Sequence, residues 1–175
     1  MKIKMVQVGE IQPNILDLIV KDLNRRFKSK FFFGGKIKMP EESYNKFKKQ
    51  YDARIVMNML AGENVDADKV LGITSNDLYS GDLNFVFGVA GGDAGLVSTA
   101  RLDPQFYGEA ANFDQLIERT IKEVIHEVAH MFGMNHCTNP ECVMSFSNSI
   151  SYVDDKKNDF CKECTLKISM EGTKI

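Results

Sequence analysis

The sequence lacks the features that tie a chain to a membrane or to a polyanion. No apolar run approaches the roughly 18 to 20 residues that a bilayer span needs, so no transmembrane helix is expected. There is little excess charge: 22 basic against 24 acidic residues leave a net charge of -2, which gives neither nucleic acid nor an anionic membrane a reason to bind. The N-terminus, Met1 to Val8, alternates polar with apolar residues, without a basic stretch followed by an apolar one. It reads as a strand and not as a secretory signal, so a soluble, cytoplasmic protein is expected. Solenoid-length repeats and low-complexity tracts are absent as well. Histidine and cysteine are scarce, at 3 and 4 residues, and they are crowded together. The histidines fall between residues 126 and 136, and every cysteine follows them.

A chain of 175 residues is long enough for one compact domain with a proper core, and gives no reason for a second. Residues 1–175 are therefore read as a single domain, with lobes over 1–133 and 134–175. Over the first two thirds, hydrophobic spacing switches repeatedly between period two and helical steps, the pattern of an α/β (α+β) fold with helices packed on a sheet. Residues 2–9 alternate as a strand. Pro13, placed for a first helical turn, opens an amphipathic helix carrying Ile15, Leu16, Ile19, Leu23 and Phe27. A strand is expected over 31–39, interrupted by Gly34 and Gly35 and ended by Pro40. Tyr44, Phe47, Tyr51, Ile55 and Met59 recur at helical steps, so 41–61 is read as one helix or two short ones. Three short strands follow near 69–75, 84–89 and 95–101. A long helix then covers 113–134, with Leu116, Ile117, Val124, Ile125 and Val128 at helical spacing. The tail after Gly133 is rich in Asn, Ser, Asp and Cys and reads as a small, loop-rich lobe.

The long helix carries His126-Glu127-Val128-Ala129-His130. Four residues at about 100° each bring the second imidazole to within about 40° of the first, so both reach one metal ion. Glu127 projects about 100° from His126, off the ligand line yet beside it, where a carboxylate suits a general base better than a ligand. Gly133 can take the left-handed conformation that ends a helix, and reversal there can carry His136 back to the same metal. Three histidines leave one zinc position open, which separates a catalytic from a structural site. The rival reading makes His126 and His130 buried, hydrogen-bonded residues and His136 a surface residue beyond the helix cap.

Cys137 and Cys142 flank a short loop, and Cys161 and Cys164 form a second close pair. Two close pairs separated by a loop resemble a four-thiolate structural zinc site, so two zinc ions per chain are expected. Two disulfides would also use all four cysteines, with three possible pairings, though no secretory signal argues for an oxidising compartment. A redox Cys-x-x-Cys is a further alternative.

The segment His126 to Cys164 resembles the archaemetzincins, a metzincin branch whose extended zinc motif is followed at once by a four-cysteine pattern. The residues that carry the resemblance are His126, Glu127, His130, Gly133, His136, Cys137, Cys142, Met144, Cys161 and Cys164. The resemblance implies a metzincin-like fold: an upper lobe of twisted, mostly parallel sheet with helices, an active-site helix, and a small C-terminal lobe stapled by zinc. It implies a zinc-dependent peptidase acting on peptide or protein substrates, here taken as a monomer, with Met144 in a tight turn beneath the histidines. Some metzincins carry a tyrosine two residues after that methionine; this chain has Phe146 there, so no phenol is available. The resemblance also implies a cleft between the lobes in which an edge strand pairs with an extended peptide, assigned here to Asn84 to Gly88. Two rival functions remain: a zinc-stabilised peptide-binding module with little turnover, and a redox or metal-storage protein built on the cysteines.

Overall fold

The structure is a computed structural model that describes residues 1–63 and 65–170; the last five residues of the expected C-terminal lobe lie outside the described residues. Its main sheet has five strands in the order β2-β1-β5-β8-β7, with β1 at Lys2–Val8, β2 at Lys30–Ile37, β5 at Lys69–Thr74, β7 at Gly88–Gly91 and β8 at Ala94–Ser98. The pairs β1/β2, β1/β5 and β5/β8 are parallel, and β7 runs antiparallel to β8 along one edge. A sheet buried on both faces needs apolar residues at both parities. The chain supplies them: Ile3, Met5, Leu71, Ile73 and Val97 pack to one side, and Val6, Val8, Val70, Ala94 and Leu96 to the other.

The first face is covered by α1 (Ile15–Arg26) and α3 (Phe113–Met131), the second by α2 (Ala53–Gly62). The α1 helix begins at Ile15 after a left-handed Asn14, so Pro13 precedes the cap and does not occupy the first turn. The Gly34-Gly35 interruption appears as a register shift between Met5 and Gln7 of β1, where β2 carries an extra residue.

The expected helix over 41–61 is corrected. Only its second half is α2; before it come a 3-10 turn at Glu41–Ser43 and a hairpin of β3 (Tyr44–Asn45) and β4 (Gln50–Asp52). The seven-residue interval between Tyr44 and Tyr51 is the register of that hairpin: the residues pair across it, with ring centroids 4.9 Å apart. The Asn45 side chain accepts from the amides of Phe47 and Lys48 to hold the turn, and Phe47 is fully exposed at its tip. β4 pairs in parallel with β6 (Leu78–Tyr79), so a second, three-stranded sheet flanks the first.

The expected strand over 84–89 is corrected as well. The edge strand is β7, and residues 84–87 contribute only an isolated bridge between Val86 and Leu78. After α3 the tail is less irregular than its composition implies, forming α4 (Ile150–Asp155) and α5 (Lys162–Met170). Its buried residues Val143, Met144, Val153 and Ile168 belong to the same apolar cluster as α1 and α3. Among the described residues, no helix is long and apolar enough to cross a membrane.

Candidate active site

The helix α3 is capped by the Asn112 side chain on the Gln115 amide and runs 19 residues to Met131. It ends in a Schellman closure: the Met134 amide donates to Ala129 O at 3.0 Å and the Gly133 amide to His130 O at 2.9 Å. Gly133 has φ 86°, the left-handed conformation that allows the reversal. The chain then returns beneath the helix, where the Cys137 amide donates to Met144 O at 2.8 Å.

This return brings His126, His130 and His136 together, with potential ligand atoms all within 4.8 Å of one another. The His126 and His136 rings stack at 5.2 Å between centroids. The other ring nitrogens decide the tautomers of the helical pair. His126 Nδ1 lies 2.8 Å from Val143 O and His130 Nδ1 lies 2.6 Å from Met134 O. A carbonyl only accepts, so each Nδ1 carries the proton and each Nε2 presents a lone pair. Those two Nε2 atoms are 3.0 Å apart, an arrangement that calls for a cation between them and fits a zinc ion held at about 2.0 to 2.1 Å. Holding a ligating histidine by its second nitrogen is the usual way its ring is oriented. Burial, and then the neighbouring Lys156 cation, push the His126 pKa well below the ordinary value, which keeps the ring neutral and able to ligate. His136 is lowered too, again first by burial.

Met144 is fully buried, next to the Val143 carbonyl that orients His126. Phe146 stands with its ring edge-on to His136 at 5.2 Å. Glu127 is buried, its pKa raised well above the carboxylate range by burial and then by Glu123. It packs against β7 at Gly88: a methyl group there would meet Glu127 Oε1 at 2.6 Å. The histidines, Glu127, Glu123 and the β7 edge share one cavity of about 520 Å³ with residues 146–148.

The four cysteines form a second cluster, also with all ligand atoms within 4.8 Å, and all four are free thiols. Cys137 Sγ and Cys161 Sγ are 3.8 Å apart, which is the edge of a tetrahedron with metal–sulfur bonds of about 2.3 Å. Backbone amides point at the sulfurs, Asn139 N to Cys137 Sγ at 3.4 Å and Cys161 N to Cys142 Sγ at 3.3 Å. The Cys161 thiol is drawn down to about 7, chiefly by its hydrogen bond with the Cys164 backbone, while burial pushes Cys142 and Cys164 up.

Sequence reasoning missed Glu123 and Lys156 at this site, and the packing role of Gly88. Glu123 could have been found, because it lies one turn before Glu127 on the same helix face. Gly88 was placed in the expected edge strand, but nothing in the sequence set it against Glu127. Lys156, fully buried, sits in the polar run Asp154 to Asn158 that reads locally as surface.

Three imidazoles, an adjoining buried carboxylate and an open sheet edge define a zinc metallopeptidase of the metzincin kind. Comparison with known proteins agrees: the family model of Peptidase family M54 matches residues 2–170, and the chain belongs to that family. It is 40% identical over 177 residues to the archaemetzincin of Methanocaldococcus jannaschii, covering 100% of this chain and 97% of that one. The crystal structure of archaemetzincin from Methanopyrus kandleri superimposes with a TM-score of 0.87 at 37% identity, covering 98% of this chain and 94% of that one. A zinc-dependent peptidase from Methanocorpusculum labreanum gives 0.86 at 28% identity, covering 95% and 99%.

Proposed function

We propose that the chain hydrolyses peptide bonds with zinc held by His126, His130 and His136 and with Glu127 as general base, while a second zinc on Cys137, Cys142, Cys161 and Cys164 is structural. The observation that carries the reading is the pair of Nε2 lone pairs 3.0 Å apart, each fixed by a carbonyl on the opposite ring nitrogen, with Glu127 buried alongside. Zinc, when bound there, supplies Lewis acidity towards a carbonyl and acidifies water. An extended peptide aligns along the unpaired side of β7 by main-chain hydrogen bonds. Glu127 takes a proton from the attacking water and returns it to the amine of the departing segment. Gly88 leaves the room that lets this carboxylate lie flat against the strand.

Met144 serves as the turn beneath the histidines, and the cysteine cluster anchors the segment from which His136 projects, because Cys137 is its neighbour. We take residues 1–175 as one catalytic domain of two lobes. Four free thiols arranged as metal ligands favour a reducing compartment such as the cytoplasm.

The test pairs metal analysis with turnover. Wild type and Glu127→Ala should both hold two zinc per chain, while cleavage of a peptide library by the variant falls about 10² to 10⁴-fold. Undiminished cleavage by Glu127→Ala would refute the assignment.

A further inference from the structure

The parallel neighbours β5 and β8 end level with each other at Thr74 and Ser98, so the loops that leave them emerge side by side. One carries Asp77 and the other Arg101, and the two meet as a bidentate ion pair: Arg101 Nε donates to Asp77 Oδ1 at 2.7 Å and Nη2 to Oδ2 at 2.8 Å. The Tyr107 hydroxyl donates to Arg101 O at 2.8 Å and holds the backbone as well. A guanidinium gripped along its edge keeps its flat faces for rings. Its Cζ lies 4.3 Å from the centroid of Phe85 and 4.8 Å from that of Phe106. Phe85 is half-buried and lines the active-site cavity, whereas Arg101 does not line it. The segment around Phe85 depends on such outside support, because residues 84–87 belong to no strand and make one isolated bridge, from Val86 to Leu78. The buried Gln50 of β4 supplies a second hold, donating from Nε2 to Asn84 O at 2.9 Å and to Asp77 Oδ2 at 3.1 Å. The Phe87 ring, itself in the core, meets Phe85 edge-on at 5.2 Å.

We propose that Arg101 is a positioning residue for substrate: locked to Asp77, it covers Phe85 and fixes that ring as the wall on which an apolar substrate side chain packs. The proposal rests on the reading of this cavity as a peptidase cleft. Arg101 acts through Phe85, because the ring lines the cavity and the guanidinium does not. A ring clamped before the ligand arrives has little rotamer freedom to lose on binding, so more of its contact area counts towards affinity. Once released, Phe85 samples other rotamers and the wall gives way. Leu83, Phe87 and Phe146 are the other large apolar side chains of the lining, which makes an apolar side chain the one that the wall receives. A lysine in place of Arg101 keeps the charge but has neither the fork for Asp77 nor the flat face for the ring.

The experiment measures binding apart from turnover, by calorimetry of peptide hydroxamates on the zinc-loaded full chain. The ligands come in pairs that differ only in carrying benzyl or methyl at one position, and the positions are taken in turn. The wild type should bind benzyl at least about tenfold tighter than methyl at one of them. Arg101→Lys should cut that ratio at least about threefold, with its zinc content unchanged. Asp77→Asn loosens the fork from the other side, should cut the ratio likewise, and serves if Arg101→Lys does not fold. In a Phe85→Ala background Arg101→Lys should change the ratio no further, since the two residues act as one coupled unit. A purely structural Arg101 would lower Tm on substitution and leave the ratio alone. No benzyl preference at any position of the wild type, an unchanged ratio in the variant that folds, or an equal effect with the Phe85 ring removed overturns the proposal. Cleavage of a matching peptide library separates the two readings. Benzyl-selective, Arg101-dependent binding without any cleavage counts against Glu127 as base and leaves Arg101 standing, whereas cleavage by Arg101→Lys with KM and kcat of the wild type sinks Arg101 alone.

Discussion

Replacing Gly88 by alanine tests how tightly the general base is held. The added methyl would lie 2.6 Å from Glu127 Oε1, 2.7 Å from Cγ and 2.9 Å from Cδ, where ordinary contact begins at 3.4 Å. The carboxylate must therefore retreat by about half an ångström to an ångström, and a misplacement of that size costs about 10²-fold in rate. Gly88 is paired with Val97 in the ladder, so the strand cannot easily yield instead. Crowding a packed site costs about 1 to 3 kcal/mol, which for a chain of this length lowers Tm by roughly 2 to 12 °C. Gly91→Ala is the control on the same strand, because nothing lies within 4 Å of its added methyl. Steady-state kinetics, zinc analysis and thermal unfolding are run on both variants. Gly88→Ala should lose kcat with its zinc retained, and Gly91→Ala should match the wild type. Turnover of Gly88→Ala within threefold of wild type, or loss of zinc in place of turnover, would refute the reasoning.

Cys161→Ser should remove one zinc equivalent per chain while the histidine site still fills, and should lower Tm; metal analysis before and after a chelator checks both, since structural zinc supplies folding free energy. Asp154→Ala strips the bidentate partner, at 2.7 Å to each oxygen, from the buried Arg119 that joins α3 to α4. Denaturant unfolding should show a loss of about 3 kcal/mol, the low end for a broken buried pair because Asp154 is half-exposed. Asp52 caps α2 at the Arg54 amide, and its pKa is lowered from 3.8, chiefly by the hydrogen bond with the Arg54 side chain. Asp52→Ala should cost about 1 kcal/mol at neutral pH. A lowered carboxylate stabilises the fold fully above 3.8, and that share is lost as pH falls through the lower folded value. The gap between wild type and variant in unfolding titrations should therefore narrow below pH 3.8.

Several features were legible because they depend on neighbours in sequence. Helical periodicity placed His126 and His130 on one face of α3 with Glu127 about 100° to the side, and Gly133 marked where the helix turns back. The same periodicity found α1, period-two spacing found β1, and the turn-rich sequence at Ser75-Asn76-Asp77 bounded β5. It failed over 41–61 because a hairpin can reproduce a helical interval: Tyr44 and Tyr51 are seven apart and directly opposed. It failed over 84–87 because alternating Phe85 and Phe87 suit a strand, yet the partner is a short bridge to Leu78 and not the main sheet. The helices α4 and α5 were missed because their burial comes from the main core, which local composition does not report.

The sequence by itself determined the donor types, their spacing and the helix that carries them, because a helix fixes residues three and four apart whatever surrounds it. Only the tertiary structure decided that β7 is the edge strand beside the histidines, that Glu127 lies against Gly88, and that Lys156 is a buried cation beside Glu123. Those contacts join residues tens of positions apart, and their energies come from exclusion of water by packing, which exists only once the whole chain has folded.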